Sequence, residues 1–280
     1  MDTNSNQARR VVIGITAHVD AGKTTLAEAM LYRTGQLRKL GRVDHGSAAM
    51  DSHLLERERG ITIFSSQAEL PIGNLEVTLL DTPGHVDFSA EMERTLSVLD
   101  YAILVISGAD GVQAHTRTLW RLLELYRIPT FLFVTKMDFG RCGRGQMMEH
   151  LRHELGEGCV DFTPADRERR MEQLATCRED ALEAYLDGGE VPDALVRQLV
   201  GRRLVFPCWF GSGLKLEGID EFLEGLARYV EPPAYPAAFS ARVFKISHDP
   251  QGKRLTHLKV TGGTLRVRDA VSYAGRCWSR

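Results

Sequence analysis

The stretch Ala17-His18-Val19-Asp20-Ala21-Gly22-Lys23-Thr24-Thr25 decides the fold of this 280-residue chain. It follows an apolar, β-branched run at 11–16 and opens a helical pattern that continues to residue 32. This strand–loop–helix order is typical of a phosphate-binding loop, in which backbone N–H groups and the helix dipole point at one anion. The usual first glycine is Ala17 here, which is tolerable where φ is negative.

The residue types within this loop predict separate roles for its side chains. Lys23 is expected to reach the β- and γ-phosphates of a nucleotide, and the Thr24 hydroxyl to hold Mg²⁺. The remaining nucleotide contacts are predicted at Asp20, Ala21, Gly22 and Thr25. The alternative is a chance match at a helix start, because short motifs match loosely.

A second motif, Asp81-Thr82-Pro83-Gly84-His85, ends an apolar strand at 75–80. An aspartate at the carboxyl end of a parallel strand can bind Mg²⁺ through a water molecule, and Asp81 is predicted to do so. Gly84 has no Cβ, so its N–H can approach a γ-phosphate closely. The second motif therefore extends the predicted phosphate site.

Two further motifs predict recognition of the base. Asp138 of Thr135-Lys136-Met137-Asp138 can accept two hydrogen bonds from guanine, whereas adenine would leave that carboxylate unpaired. Gly211-Ser212-Gly213, followed by Leu214, could offer backbone N–H groups to guanine O6. The four motifs follow four strands in order, and this combination predicts a protein that binds GTP and GDP.

The polar stretch at 35–59 lies between the first two motifs and ends beside Thr62. A loop that closes on Mg²⁺ and the γ-phosphate needs an oxygen ligand near its hinge, and Thr62 is the predicted one. The alternative is that Thr62 is an ordinary β-branched strand residue and 56–59 a solvated run of charges. The position of the loop before the Asp81 strand favours the first interpretation.

These segments resemble the translational GTPases, and among them elongation factor G and the ribosomal protection proteins that confer tetracycline resistance. The similarity is carried by 17–25, by 54–63, by 81–88 and by the region from 96 to 113. The run Leu40-Gly41-Arg42-Val43-Asp44-His45-Gly46 is more similar to the resistance proteins than to the translocase. The resemblance extends from about residue 11 to residue 271, with a weaker middle.

The resemblance implies a ribosome-dependent GTPase with slow intrinsic turnover. It makes His85 the residue that orients the attacking water, with Lys23 and Thr62 assisting, while ribosomal RNA completes the arrangement. The similarity to the resistance proteins further implies that GTP hydrolysis drives the release of tetracycline from the ribosome. A translocase of the elongation factor G type is the alternative, and a GTP-binding module that does not hydrolyse is a less favoured one.

Thr135 departs from the family pattern, in which asparagine usually occupies this position. An asparagine amide can contact the base and brace the phosphate loop at once, whereas a threonine hydroxyl has one donor and a shorter reach. The loss of one neutral hydrogen bond would weaken nucleotide binding by about 0.5–1.5 kcal/mol. We therefore expect weaker binding with an unchanged preference for guanine.

Composition is consistent with a cytoplasmic protein. With 35 basic and 37 acidic residues, the chain has no bulk attraction to RNA, so contact with nucleic acid would need a local patch. The five cysteines are irregularly spaced without a C-x-x-C motif, which favours reduced thiols in the core. The polar N-terminus lacks an apolar signal core, and no run approaches a membrane span.

The coarse pattern predicts an α/β fold, a P-loop GTPase domain at 1–230 with a mostly parallel, doubly wound sheet. Strands are predicted at 11–16, 61–70, 75–80, 101–106, 130–135 and 204–210, and helices at 23–32, 88–98, 116–126 and 219–229. A charged, largely helical insert is expected near 140–203. It contains His150 and His153 at a spacing that could suit a metal, but a surface helix is the favoured interpretation.

A proline-rich linker at 231–236 precedes a segment that resembles the first hairpins of an all-β barrel domain, at 237–280. Strands are predicted at 241–246, 255–260 and 265–267, with a turn at 249–252. About half a barrel is expected by usual strand lengths. Its exposed edge would leave the protein either monomeric with a poorly ordered tail or paired with a neighbour.

Other enzymes with a phosphate-binding loop, such as ATPases and kinases, would share Gly22-Lys23-Thr24 but would not need Asp138. Titration with GDP against ADP separates these classes.

Overall fold

The computed structural model describes residues 9–38, 66–82, 89–139, 142–163, 167–249, 251–273 and 276–278. The first part of the chain folds around a seven-stranded sheet. Its strands are β1 (Arg9–Ala17), β2 (Ser66–Ile72), β3 (Leu75–Asp81), β4 (Tyr101–Ser107), β5 (Thr130–Thr135), β6 (Cys159–Asp161) and β7 (Phe206–Phe210). They lie in the order β2-β3-β1-β4-β5-β7-β6, and only β2 and β3 pair in antiparallel fashion. The prediction of a mostly parallel sheet is confirmed.

Helices cover both faces of this sheet. They are α1 (Lys23–Arg33), α2 (Ser89–Leu96), α3 (Ala114–Leu125), α4 (Arg144–Leu155), α5 (Arg167–Ala175), α6 (Glu179–Gly188), α7 (Asp193–Gly201) and α8 (Ile219–Tyr229). One buried cluster joins α1 and α8 to one face of the strands, and a second joins α2, α3 and α4 to the other. The sheet is therefore doubly wound, as predicted.

Strand β5 shows why the sheet needs helices on both sides. Phe131 and Phe133 belong to the cluster on the α1 and α8 side, whereas Leu132 and Val134 belong to the opposite cluster. All four side chains are fully buried, so the strand is apolar throughout rather than alternating. Burial of each such side chain contributes about 1.5–3 kcal/mol to the free energy of folding, and this stabilises the packing of helices on both faces of the sheet.

The prediction from the sequence was wrong on two details of this sheet. The strand predicted from residue 204 begins at Phe206, because Arg203 has φ 58° and the Leu204 amide donates to Leu199 O at the end of α7. Leu204 therefore belongs to the turn that ends this helix. The segment at 140–203 also contains β6, whose three residues are too few to produce a recognisable period.

The chain divides into two compact units, Met1–Pro232 and Pro233–Arg280. In the second unit, β8 (Ser240–His248) pairs in antiparallel fashion with β9 (Arg254–Gly262), and β10 (Val271–Tyr273) pairs with β11 (Arg276–Trp278). Within the described residues, these strands form two separate two-stranded sheets and no closed barrel.

The strand predicted at 265–267 is a turn instead. The Arg266 amide donates to the Asp269 carboxylate at 2.6 Å, and the Asp269 amide donates back to Arg266 O at 3.1 Å. Val267 is 93% exposed and Arg268 has φ 74°, so neither residue has the environment of a paired strand.

In the described part of the chain, none of the helices combines the length and the apolar character needed to cross a membrane.

Candidate nucleotide site

The parallel strands bring the predicted motifs to one edge of the sheet. The carboxyl ends of β1, β3, β5 and β7 lie at the same edge, and the loops that follow them carry four motifs. Thr82 secures the end of β3 against β1, because both its amide and its hydroxyl donate to Ile15 O, at 3.1 and 2.8 Å. The described start of the second motif, Asp81-Thr82, is thereby fixed beside β1, which leads into the first motif.

The loop between β1 and α1 has the backbone geometry of an anion-binding turn. The Ala21 amide donates to His18 O at 3.1 Å, and left-handed φ values occur at Asp20 (59°) and Gly22 (94°). Helix α1 begins at Lys23, and no described side chain caps its first turn. The first-turn amides, which include those of Thr24 and Thr25, and the positive end of the helix dipole suit a phosphate group.

Lys23 and Asp81 are paired in the interior of this site. The Lys23 ammonium donates to Oδ1 of Asp81, and the two side chains are 9% and 0% exposed. Opposite charges in such a buried place depend on each other, because water does not screen them. The two predicted phosphate and Mg²⁺ positions are thus brought into direct contact.

Thr135 and Lys136 bind the phosphate loop from the end of β5. The Thr135 hydroxyl donates to Ala21 O at 2.5 Å, and the Lys136 ammonium donates to Asp20 O at 2.6 Å. The hydroxyl also lies 3.2 Å from Ile106 O, but it has one proton and the shorter contact takes it. The sequence predicted one donor and a shorter reach for threonine than for asparagine, and in the structure that one donor is used for the brace.

Asp138 lies in the turn that follows, where the Phe139 amide donates to Lys136 O at 3.1 Å. Its side chain is 11% exposed, and Oδ2 lies 3.0 Å from the ammonium of Lys215. The hydrogen bond to Asp138 raises the pKa of Lys215 above its usual value. Lys215 is the residue of this site that the sequence analysis did not identify.

The loop after β7 is closed by its own backbone. Ser212 and Glu217 exchange two backbone hydrogen bonds of 3.0 Å, and Leu216 adopts φ 60°. Gly213 packs on the start of α1, since a Cβ there would lie 3.2 Å from Thr25 O. Leu214 is 50% exposed at the tip of the loop. This loop therefore lies against the start of α1.

Three predicted residues, Thr62, Gly84 and His85, lie outside the described residues. Among the described residues, the histidine pair on α4 does not form a metal site. His150 Nε2 accepts a hydrogen bond from the Val112 amide at 3.1 Å, and His153 Nδ1 lies 3.4 Å from Glu154. The part of the chain described here holds no group of three or more His, Cys, Asp or Glu side chains arranged to bind a metal.

The sequence of this chain is similar to a known family and to known proteins. The family described as Elongation factor Tu GTP binding domain matches residues 8–232. The oxytetracycline resistance protein of Streptomyces rimosus is 39% identical over 93% of this chain. Tetracycline resistance protein TetM of Ureaplasma urealyticum is 36% identical and TetO of Campylobacter jejuni 33% identical, each over 92% of this chain. The chain spans 43% of the length of each of these three relatives.

A solved structure is also similar. The crystal structure of a protein from Thermus thermophilus superposes with a TM-score of 0.87 at 27% sequence identity, over 97% of this chain and 48% of that chain.

Proposed function

Because this chain belongs to the family of the elongation factor Tu GTP binding domain, we propose that it binds and hydrolyses GTP at the nucleotide site described above. The observation that carries the proposal is the arrangement of Lys23, Asp81 and Asp138 at one sheet edge. Lys23 begins the helix that follows β1, Asp81 ends β3, and Asp138 lies in the turn that follows β5. The first two suit phosphate and Mg²⁺, and the third suits guanine. Adenine offers no pair of donors to Asp138, so GTP rather than ATP is the expected substrate.

The side chains divide the work of binding. Lys23 and the amides of 20–25 would hold the β- and γ-phosphates, together with the Gly84 amide. Asp138 would accept from the base, while Thr135 and Lys136 keep the phosphate loop in place through Ala21 O and Asp20 O. The amides of Ser212, Gly213 and Leu214 would contact the base oxygen.

The donor set also fits Mg²⁺. Thr24 follows Lys23 at the start of α1, and the buried Asp81 carboxylate lies in contact with that lysine. Hydroxyl and carboxylate oxygens are ligands that Mg²⁺ accepts, and we assign Thr24, Thr62 and, through water, Asp81 to it. When bound, the ion neutralises charge on the phosphate oxygens.

Hydrolysis itself is assigned to His85, with Lys23 and Thr62 assisting. Imidazole is too weak a base to ionise water on its own, so His85 acts by orienting the attacking water toward the γ-phosphate. We further propose that the ribosome completes this arrangement and that turnover without it is slow.

For the whole protein we propose ribosomal protection in the cytoplasm, in which GTP hydrolysis drives tetracycline from the ribosome. Support comes from the names of the relatives, which are oxytetracycline and tetracycline resistance proteins. A translocase of the elongation factor G type is the second candidate, because the two groups share this domain.

The proposed domains are the GTP-binding domain at 1–230 with an insert near 140–203, a linker at 231–236, and the start of a barrel at 237–280. We propose that the chain is either monomeric or paired with a neighbouring chain through the exposed edge of that segment.

Two measurements test the proposal in order. Titration with GDP and ADP should give binding of GDP only, and equal binding would contradict the guanine assignment. The whole protein is then added to a purified translation system that is blocked by tetracycline or lacks its translocation factor. Rescue of the blocked system alone supports ribosomal protection, whereas replacement of the missing factor alone supports the translocase.

A further inference from the structure

Asp138, whose carboxylate is assigned to guanine in the proposed function, forms an ion pair with Lys215. The Lys215 ammonium lies 3.0 Å from Oδ2 of Asp138, and this hydrogen bond is the main cause of the raised pKa of Lys215. The two side chains differ in their surroundings, since Asp138 is 11% exposed and Lys215 is 52% exposed. The carboxylate is thus held in a covered place, while the lysine can turn into water.

Lys215 is carried there by the closed loop after β7. The backbone hydrogen bonds between Ser212 and Glu217 fix both ends of this loop, and the Lys215 amide lies 3.4 Å from the Ser212 hydroxyl. Gly213 is in close packing with the start of α1, which ties the same loop to the phosphate site. The loop that is proposed to meet the base oxygen therefore also supplies a cation to the base-reading carboxylate.

We propose that Lys215 competes with guanine for Asp138 and so sets the rate and strength of nucleotide binding. This inference rests on the proposed GTP function and names a regulation of that site. Guanine presents two donors, N1–H and the 2-amino group, which together need both carboxylate oxygens. The ammonium takes Oδ2, so the base gains its full pair of hydrogen bonds only when Lys215 moves away.

The same contact has a second consequence for the carboxylate. A largely covered carboxylate is unfavourable without a partner, and Lys215 supplies that partner. Because Lys215 is half exposed, water can readily solvate its ammonium once it leaves the carboxylate. Lys215 thus holds the Asp138 carboxylate in place for the incoming base, at the expense of affinity. Because half-exposed ion pairs are weak, the competition is worth about twofold to fivefold in the dissociation constant.

The test replaces the cation and keeps the aliphatic stem. Lys215→Met removes the ammonium, and Lys215→Arg retains a cation that can bind the same carboxylate. Association and dissociation rates of GDP are measured for both variants and the unaltered protein, at low salt and at high salt. The expected result is a GDP dissociation constant about twofold to fivefold lower for Lys215→Met, through faster association at low salt, and little change for Lys215→Arg.

A second background separates this competition from other effects of Lys215. Asp138→Asn removes the charge that attracts Lys215, and its amide can donate to the 2-carbonyl group of xanthine where guanine has an amino group. Xanthosine diphosphate is therefore the probe for that background. Adding Lys215→Met to Asp138→Asn should leave the affinity for xanthosine diphosphate unchanged.

The outcomes are distinct. Unchanged or weaker GDP binding by Lys215→Met overturns the competition, because the lysine then contributes nothing or contacts the bound nucleotide. Equal tightening in the Asp138→Asn background overturns it as well, since the effect would not pass through the carboxylate. Failure of the proposed function has another signature, namely equal binding of GDP and ADP by the unaltered protein.

Discussion

Lys23 of the phosphate loop donates a hydrogen bond to Asp81 at the end of β3, and both side chains are buried. Asp81→Asn would leave the ammonium in a covered place without its carboxylate. We expect the free energy of unfolding to fall by about 3–5 kcal/mol, measured by urea denaturation without nucleotide. Adding Lys23→Met should recover part of this loss, because it removes the ammonium that was left without its carboxylate.

An exposed ion pair on β3, the strand that Asp81 ends, provides a matched control. Arg10 and Glu76 form an ion pair of 2.8 Å between β1 and β3 whose side chains are 83% and 51% exposed. Glu76→Gln is expected to change the free energy of unfolding by less than about 1 kcal/mol. Similar losses from the two substitutions would contradict the importance given to burial.

Thr135→Val tests the brace on the phosphate loop. The substitution keeps the shape of the side chain but removes the hydroxyl that donates to Ala21 O. We expect GDP binding to weaken by about 1–3 kcal/mol, because a buried carbonyl loses its partner. Isothermal titration calorimetry measures the change, and Thr135→Ser, which retains the hydroxyl, should stay much closer to the unaltered protein.

Thr135→Asn examines the departure from the family pattern. We expect tighter GDP binding by about 0.5–1.5 kcal/mol, since an amide can contact the base as well as the loop. An unchanged affinity would mean that the Thr135 hydroxyl already provides all that asparagine would add.

His85→Ala separates binding from hydrolysis. We expect the affinity for GTP to remain nearly intact and the stimulation of hydrolysis by ribosomes to be lost, because His85 is assigned to the attacking water only. Nucleotide affinity and phosphate release with and without ribosomes are the measurements. Stimulation that survives in this variant would remove His85 from the mechanism.

Gly225→Ala in α8 has two opposite effects on the stability of the protein. Alanine stabilises a helix interior by about 1 kcal/mol relative to glycine, but a Cβ at this position would lie 2.2 Å from the ring of Trp209, which is itself buried. Overpacking costs about 1–3 kcal/mol, so we expect a net loss of stability by thermal denaturation. The control is Gly188→Ala in α6, where a Cβ meets nothing within 4 Å and no loss is expected.

The sheet and the loop before α1 could be predicted because they depend on local signals. The buried strands are continuous apolar runs, and Gly22-Lys23-Thr24 at a helix start needs no knowledge of distant residues. The β6 strand escaped prediction because its three residues are too few to show a recognisable period.

The finer chemistry of the site could not be predicted for a similar reason. Whether the Thr135 hydroxyl reaches Ala21 O depends on how closely β5 and β1 place their loops, and sequence spacing does not contain that distance. Lys215 lies in a loop whose direction is set by the Ser212 and Glu217 backbone pairing. Its contact with Asp138 is a property of the folded chain alone.

The order of strands also constrains how this protein acquires its structure during synthesis. In the sheet, β7 lies between β5 and β6, so β6 has no neighbour in the sheet until β7 has been made. Residues 162–205 separate the end of β6 from the start of β7. At the usual pace of translation, the ribosome needs about 2–9 seconds to add them. During that interval the nascent chain can already pair β1 with β3 and β4, while the β5 edge of its sheet stays unpaired until β7 is synthesised.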